Sequence, residues 1–314
     1  MNLRPLGRSG IAIAPLMLGG NVFGWNTDQQ TSSAILDAFV DAGFNAIDTA
    51  DSYSRWAPGH VGGESELVIG RWLKQSGKRD KVVIATKVGA DMGEGICVRK
   101  DYILRAAEGS LRRLGVETID LYQTHFDDEV TPVEETLEAY AKLIGDGKVR
   151  AIGASNVAPP RLKASLDAAK ARGLPRYESL QPLYNVHDRK GVESELAPIL
   201  RENGLGLIPY YGLAAGFLTG KYRSVADAEK NPSRGGRVKG YMTERGFAVL
   251  KALDEVAARH GATPAQVALA WLIAQPIVTA PIASATSLAQ LPDIMKAPRL
   301  KLSAADLKTL DVPG

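Results

Sequence analysis

Four side chains able to carry acid, base or proton-donor chemistry lie at or just beyond the ends of apolar segments. Asp48, Lys87 and His125 each end a short run of residues typical of a buried strand, and Tyr53 lies five residues beyond Asp48. If these runs are neighbouring parallel strands, their carboxyl ends meet on one face. The sequence then brings an acid, an amine, an imidazole and a phenol together.

These groups could protonate a carbonyl oxygen while it is reduced. A free phenol has a pKa near ~10 and donates poorly at neutral pH, so we expect the ammonium of Lys87 to lower the pKa of Tyr53. Asp48 is the expected partner that fixes Lys87 and keeps it protonated, because an unpaired buried ammonium is costly. His125 could donate a hydrogen bond to the same oxygen. No side chain supplies a hydride, so this chemistry predicts a nicotinamide cofactor.

The elements that would position these residues alternate between strand and helix. Segments with helical periodicity occupy residues 32–42, 65–74, 102–114, 132–144, 160–171 and 193–202. Runs suited to buried strands begin near Leu16, Ala46, Val82, Ile119, Val149, Tyr177, Gly206 and Ile277. A repeat of about thirty residues is the length of a strand–helix–strand unit, and eight units predict an α/β fold of the (β/α)8 barrel type.

The chain is expected to form one domain over residues 1–314. An open doubly wound sheet is the competing topology, but no Gly-x-Gly-x-x-Gly motif follows an expected strand and no linker-like composition divides the chain. The apolar run at residues 11–18 is interrupted by Pro15 and lacks a small-residue cleavage site. We interpret this run as an N-terminal β-hairpin and first strand, not as a signal peptide.

The interval after the seventh expected strand is long and basic. Residues 211–241 contain six lysine or arginine residues against two acidic ones. In a barrel this loop emerges beside strands seven and eight, where phosphate groups commonly bind. We therefore expect it to cover an anionic cofactor.

The composition excludes several other classes of protein. A formal net charge of +3 gives no reason to expect a nucleic-acid partner or an anionic membrane surface. A single cysteine, Cys97, excludes an intramolecular disulfide framework and favours a reducing, cytoplasmic location, and no spanning segment occurs. The four histidines are far apart in sequence and no His-x-x-x-His or Cys-x-x-Cys pair occurs, so no metal site is predicted.

The sequence around Asp48 and Tyr53 resembles the signature of the aldo-keto reductase family. The segment Gly43-Phe-Asn-Ala-Ile-Asp-Thr-Ala-Asp-Ser-Tyr53 is followed by Gly63-Glu-Ser-Glu66 and Ile69-Gly70. The similarity extends over nearly the whole chain, and is to the branch that includes potassium-channel β-subunit-like reductases. It implies an NAD(P)H-dependent reductase on a (β/α)8 barrel, with a catalytic tetrad of Asp48, Tyr53, Lys87 and His125.

The same resemblance implies residues that bind the cofactor. Ser155, Asn156 and Gln181 correspond to the family's partners of the nicotinamide carboxamide, and Tyr210 corresponds to the aromatic residue that stacks on the ring. Further implied cofactor residues are Gly20 and Asn21 after the first strand, Gly216, Leu218, Gly220 and Lys221 in the pyrophosphate loop, and Ser284, Thr286, Gln290 and Asp293 in the adenosine motif.

The resemblance is incomplete at the adenosine end. Ser284, Pro292 and Ile294 replace the residues that are usual in the family, and this motif has no cation for a 2′-phosphate. We expect Arg234 and Arg237 of the basic loop to supply one. The expected cofactor is NADPH, with NADH as the alternative.

The expected substrate is a small-molecule carbonyl compound, and an aldehyde more than a hindered ketone. Trp25 and Trp56 could form an apolar wall for its non-reacting part, or could simply cover the barrel mouth. Two other functions remain open. Lys87 could form a Schiff base in an aldolase-type barrel if its pKa were depressed, or the barrel could bind nicotinamide as a regulatory subunit with little turnover. The sequence does not indicate an oligomeric state.

Overall fold

The computed structural model describes residues 2–229 and 235–313 of the chain. Its strands are β1 (Arg4–Pro5), β2 (Ala12–Ile13), β3 (Met17–Gly19), β4 (Ala46–Asp48), β5 (Val83–Val88), β6 (Ile119–Thr124), β7 (Val149–Ser155), β8 (Tyr177–Gln181), β9 (Gly206–Leu207) and β10 (Ile282–Ala283). Strands β3 to β10 form one parallel sheet in the order β10-β3-β4-β5-β6-β7-β8-β9.

Backbone hydrogen bonds close this sheet into a cylinder. Leu207 of β9 forms a parallel bridge with Val278, and the amide of Ile282 donates to the carbonyl of Pro209 at 2.9 Å. Ile282 in turn pairs with Met17 of β3. The predicted (β/α)8 barrel is therefore confirmed. The eighth strand begins at Ile282 and not near Ile277, because residues before it contribute only the isolated bridge at Val278.

Helices flank the strands, as the periodicity predicts. They are α1 (Gln29–Asp41), α2 (Glu64–Ser76), α3 (Lys100–Leu114), α4 (Val133–Gly145), α5 (Pro159–Arg172), α6 (Ala197–Asn203), α7 (Val225–Glu229), α8 (Gly235–Lys239), α9 (Glu244–His260), α10 (Pro264–Ala274), α11 (Leu291–Lys296) and α12 (Ala304–Thr309). Short 3₁₀ turns cover Arg79–Lys81 and Ala297–Arg299, and the turn at Ala214–Thr219 is kinked at Ala215 and Gly216, which have φ values of 56° and 98°. No helix of the described ranges is long and apolar enough to cross a membrane.

The helix expected at residues 193–202 is not continuous. A π-type segment covers Gly191–Leu196, and α6 follows with Pro198 in its first turn. Proline has no amide hydrogen, so the regular bond to the carbonyl four residues earlier cannot form at this point. Helical periodicity alone does not register this interruption.

The predicted hairpin closes the amino-terminal end of the barrel. Strands β1 and β2 pair antiparallel, with Arg4 opposite Ile13. Its apolar residues Leu6, Ile11 and Ile13 join one buried cluster with strand residues Met17, Ala46, Val83, Ala85, Leu121, Ala151 and Ile282, and with Ile208 and Ala280 next to β9 and β10. The floor of the barrel is therefore apolar.

The barrel interior becomes polar towards the carboxyl ends of the strands. Residues two apart on a strand face the same side, so Asp48 lies above Ala46, and Lys87 lies above Ala85. Gln123 has the same relation to Leu121. All three polar side chains are buried. On each of these strands, a step of two residues separates the apolar floor from a buried polar layer, and this layer lies on the side of the loops.

Candidate active site

Lys87 lies at the centre of the polar layer. Its Nζ donates to Asp48 Oδ2 at 2.7 Å, to the carbonyl oxygen of Thr49 at 2.8 Å and to Tyr53 Oη at 2.8 Å. The phenol of Tyr53 also donates to Asp48 Oδ2, at 3.2 Å. Because β4 and β5 are neighbours, residues 39 positions apart in sequence form one hydrogen-bonded group. Lys87 has no exposed surface.

The pKa of Tyr53 is raised well above its usual value. Burial is the main cause, because it disfavours the phenolate, and the negative charge of Asp48 adds to it. The prediction that Lys87 makes this phenol acidic is therefore wrong for the protein alone. Instead, Tyr53 keeps its proton over the ordinary pH range, and its oxygen already accepts a hydrogen bond from the ammonium.

Burial lowers the pKa of Lys87, while Asp48 opposes this effect. The expectation that Asp48 simply keeps the amine charged therefore needs correction, because desolvation acts against it. The geometry nevertheless suits an ammonium: three acceptors surround Nζ, one for each N–H bond.

His125 follows β6 and faces the same cavity as Tyr53. Burial and the charge of Lys87 hold the pKa of His125 well below its usual value, so the ring is neutral at neutral pH. Its Nδ1 lies 3.4 Å from Ser52 Oγ, and the ring stacks on Phe126 with centroids 4.6 Å apart. A neutral imidazole can still donate one hydrogen bond.

A second set of polar groups connects the tetrad to strands β7 and β8. Gln181 Nε2 donates to Asp48 Oδ1 at 2.9 Å, and Ser155 Oγ donates to the carbonyl of Gln181 at 2.8 Å. Asn156 Nδ2 donates to Ser155 Oγ at 3.0 Å, and Tyr210 Oη donates to Asn156 Oδ1 at 2.8 Å. Asn156 has a φ of 50°, which asparagine tolerates better than most residues.

These groups line a cavity of about 980 Å³ at the carboxyl ends of the strands. Lys87 lies behind the wall that Asp48 and Tyr53 form. The other sequence-predicted residues on the wall are Asn21, Trp25, Trp56, His125, Ser155, Asn156, Gln181, Tyr210, Gly216, Lys221, Arg237, Ser284, Gln290 and Asp293. Among the described residues, Gly20, Leu218, Gly220 and Thr286 lie off this wall, and Arg234 lies outside the described residues.

The donor set of the cavity fits a nicotinamide cofactor. A hydroxyl and two side-chain amides at the ends of β7 and β8 offer both donors and acceptors, as a carboxamide requires. The loop after β9 contains Gly216 with a φ of 98°, a conformation that side chains with a Cβ rarely adopt. Lys221 and Arg237 add positive charge to the same part of the wall.

The adenosine motif is held by contacts within the protein. Ser284 Oγ donates to Asn21 Oδ1 at 2.6 Å, and the amide of Thr286 donates to Gln290 Oε1 at 3.0 Å. Asp293 accepts from Gln266 Nε2 at 2.7 Å, next to the capping box that begins α10. Three residues of this motif, Ser284, Gln290 and Asp293, therefore line the cavity while bonded within the protein.

Sequence reasoning missed several residues on the other side of the cavity. Ser52, Arg55, Asp91 and Phe126 all line it. Arg55 Nη1 donates to the carbonyl of Asp91 at 2.8 Å. A usable signal existed, because each of these residues lies within a few positions of the end of β4, β5 or β6, where barrel loops build sites.

The part of the chain that the structure describes holds no group of three or more histidine, cysteine, aspartate or glutamate side chains arranged to bind a metal ion.

A closed barrel with Asp48, Tyr53, Lys87 and His125 together at its mouth is the architecture of a nicotinamide-dependent oxidoreductase. The model of the aldo/keto reductase family matches residues 15–312, and the chain belongs to this family. The predicted resemblance is thus confirmed.

Relatives cover nearly the whole chain. The uncharacterized oxidoreductase YrpG of Bacillus subtilis is 35% identical over 98% of this chain and 94% of its own. L-glyceraldehyde 3-phosphate reductase of Escherichia coli is 32% identical over 99% and 92%, and the protein tas of the same species is 32% identical over 96% and 94%.

Proposed function

We propose that this protein reduces aldehydes or ketones to alcohols, with a hydride from NADPH and a proton from Tyr53. The observation that carries the proposal is the contact of Tyr53 Oη with both Lys87 Nζ and Asp48 Oδ2, at the base of the cavity. A protonated phenol beside an ammonium is a proton donor whose product, the phenolate, is stabilised where it forms.

Each member of the tetrad has a separate role in this reaction. Tyr53 holds the proton at Oη and releases it to the substrate oxygen. Lys87 stabilises the resulting phenolate by donating a hydrogen bond, and Asp48 fixes the ammonium. His125, neutral at the reaction pH, donates a second hydrogen bond that orients and polarises the carbonyl. When bound, the nicotinamide supplies the hydride.

Residues at the ends of β7 and β8, and in the segments that follow β3, β9 and β10, are the proposed cofactor contacts. Ser155, Asn156 and Gln181 would hold the carboxamide, and Tyr210 would support the ring by stacking. Lys221 would meet the pyrophosphate. Arg237, together with Arg234 outside the described residues, is the proposed partner of the 2′-phosphate and the reason for choosing NADPH over NADH. The remaining proposed cofactor contacts are Gly20, Asn21, Gly216, Leu218, Gly220, Ser284, Thr286, Gln290 and Asp293.

The substrate is proposed to enter past Trp25 and Trp56. Their rings lie edge to face with centroids 5.6 Å apart, and Trp56 lies 6.0 Å from the ring of Tyr53. An apolar wall beside the proton donor favours an aldehyde with an apolar or flat non-reacting part. The name of one relative, L-glyceraldehyde 3-phosphate reductase, adds small hydroxylated aldehydes and their phosphates to the compounds to test.

The Schiff-base alternative is less well supported. Burial lowers the pKa of Lys87, as a nucleophilic lysine requires. However, Nζ donates to three acceptors, and a neutral amine has only two hydrogens to donate. Borohydride trapping of a carbonyl compound on Lys87 would favour the aldolase-type reaction.

The test is a turnover assay that follows the absorbance of the reduced nicotinamide. Aldehydes, ketones and sugars are screened with NADPH and with NADH, and aldehyde reduction with preference for NADPH is expected. Tight cofactor binding without steady turnover of any carbonyl compound would contradict the proposal and favour a regulatory subunit.

A further inference from the structure

A second group of polar side chains, buried except for the partly exposed Arg113, lies behind the tetrad, between the barrel strands and helices α2 and α3. We call it the buried carboxyl cluster, and its members are Asp51, Glu66, Thr86, Arg113 and Tyr122. Thr86 of β5 and Tyr122 of β6 are register partners, so their side chains lie on the same face of the sheet. Thr86 directly precedes Lys87, and its side chain therefore points to the opposite face from the ammonium.

Within this cluster Glu66 is fully satisfied. Thr86 Oγ1 donates to its Oε1 at 2.5 Å, and Arg113 Nε donates to its Oε2 at 2.6 Å. Glu66 has no exposed surface. The positive charge of Arg113 is thus bonded directly to this one carboxylate.

Asp51 is not satisfied in the same way. It is 3% exposed, and its Oδ1 is buried without a hydrogen-bond partner. The hydroxyl of Tyr122 is also buried without a partner. A buried carboxylate with a bare oxygen is costly. Burial first, and the charge of Glu66 second, raise the pKa of Asp51 to about 7.

Asp51 is also close to the tetrad in the chain and in space. It lies three residues after Asp48 and two before Tyr53, and its amide donates to the carbonyl of Lys87 at 3.3 Å. Its carboxylate charge raises the pKa of Lys87, in opposition to burial. The other groups that interact with its charge are Glu66, Arg113 and the phenols of Tyr102, Tyr122 and Tyr140.

We propose that Asp51, which lies outside the substrate cavity, is a positioning residue that controls the charge of Lys87 by gaining or losing its own proton. When Asp51 is ionised, Lys87 keeps its ammonium form to higher pH, and the hydrogen bond to Tyr53 is maintained. When Asp51 is protonated, its negative charge is lost and Lys87 gives up its proton at lower pH. The direct contact of Lys87 with Asp48 remains. The effect of Asp51 on the charge of Lys87, which we call the link, does not depend on the function proposed above. Only its effect on turnover rests on that function.

The link is tested by NMR of protein labelled with ¹³C at the lysine ε-carbon. The Lys87 resonance is assigned by its loss in Lys87→Met. In the unaltered protein this resonance is expected to show an inflection near the pH at which Asp51 titrates, in addition to its own titration. Asp51→Asn should remove that inflection and move the Lys87 midpoint roughly half a pH unit or more lower.

Asp101→Asn is the matched control, because it makes the same change in charge at an exposed position of α3. It should leave the Lys87 resonance unchanged. Identical titrations of Lys87 in all three proteins would overturn the proposal. If Asp51→Asn does not fold, the unaltered protein still decides, because an absent inflection contradicts the proposal and a present one supports it.

Kinetics separate this proposal from the proposed function. The alkaline limb of the kcat/KM profile should move to lower pH in Asp51→Asn by the same amount as the Lys87 midpoint. An NMR shift in a protein that turns over no carbonyl compound would support the link and contradict the proposed function. Turnover with superimposable pH profiles and unshifted resonances would support the function and overturn the link.

Discussion

Tyr53 and Lys87 have separate roles in the proposed proton transfer. Burial and Asp48 raise the pKa of Tyr53, so the phenol is protonated before reaction. The ammonium of Lys87 contacts the oxygen that becomes negative when the proton leaves. This contact therefore stabilises the negative charge that develops on Tyr53 during the reaction. An electrostatic contact that acts on a developing charge accelerates the reaction.

Tyr53→Phe tests the proton donor. The variant should fold and bind NADPH with nearly unchanged affinity, because it loses only the hydroxyl. Loss of a general acid should lower kcat by roughly 10²- to 10⁴-fold. Stopped-flow hydride transfer and cofactor titration measure the two effects. Tyr184→Phe, whose hydroxyl contacts Glu193 and not the tetrad, is the control. Near-normal turnover in Tyr53→Phe would contradict the assignment.

Lys87→Met should reduce turnover as strongly and also destabilise the fold. The substitution leaves the buried Asp48 carboxylate without its cation, a change that typically costs about 3–5 kcal/mol. Denaturant unfolding at neutral pH measures this loss. Lys142→Met breaks an exposed pair with Asp146 and should change the free energy of unfolding by less than about 1 kcal/mol.

Asp51 predicts a pH-dependent stability. Its pKa is about 7 in the fold against 3.8 for a free side chain. The folded state therefore binds the proton more tightly, and this contribution to stability is complete below pH 3.8 and lost as the pH rises to about 7. The full difference corresponds to roughly 4 kcal/mol.

Asp51→Asn removes this titration. Relative to the unaltered protein, the variant should gain stability progressively from pH 3.8 to about pH 7, in unfolding experiments at roughly constant ionic strength. A difference between the two proteins that is independent of pH over this range would show that Asp51 does not hold a proton in the fold.

At the scale of elements, the segment after β9 is tied to the rest of the cavity by a few polar contacts. Tyr211 has a φ of 55°, and its carbonyl accepts from Asn185 Nδ2 at 3.0 Å. Tyr241 Oη donates to Asp188 Oδ2 at 2.7 Å. Arg237 of α8 donates to the hydroxyl of Tyr211 and so places its guanidinium at the cavity wall.

Arg237→Met should therefore weaken NADPH binding more than NADH binding. Loss of one charged contact predicts about a tenfold increase in the Kd for NADPH, or roughly 1.4 kcal/mol. Titration of intrinsic fluorescence with each cofactor measures the ratio. Lys239→Met is the control, because Lys239 pairs with Glu229. Equal effects on both cofactors would contradict the role proposed for Arg237.

At the scale of the whole molecule, the barrel is divided into an apolar floor that stabilises it and a polar mouth that carries the site. The N-terminal hairpin closes the floor through Leu6, Ile11 and Ile13. Ile13 has no exposed surface. Ile13 therefore packs against the strands that hold the tetrad, but at the opposite end of the barrel from the tetrad.

Ile13→Ala should separate stability from function. The cavity left in the floor predicts a loss of about 2–5 kcal/mol of unfolding free energy. The KM for cofactor and substrate should stay within about twofold, because the polar layer does not contact this residue. Val61→Ala, at a position 76% exposed, is the control and should leave both quantities nearly unchanged.

Local patterns in the sequence were enough to predict the strands, the six helices between β3 and β9, and the family. Apolar runs and helical periodicity repeat about every thirty residues, and that period is characteristic of the barrel. The same patterns could not predict the interruption at Pro198 or the delayed start of β10, because backbone hydrogen bonding decides both.

The identity and order of the residues determined that an acid, a phenol, an amine and an imidazole would meet at the mouth of a barrel. Only the tertiary structure decided their protonation. The pKa of Tyr53 and of Lys87 depends on how completely chain segments distant in sequence exclude water, and on contacts such as the 2.7 Å pair of Lys87 with Asp48. Desolvation is a property of the whole packed molecule. Spacing along the chain therefore predicts which residues meet in the site, but not whether the pKa of each is raised or lowered.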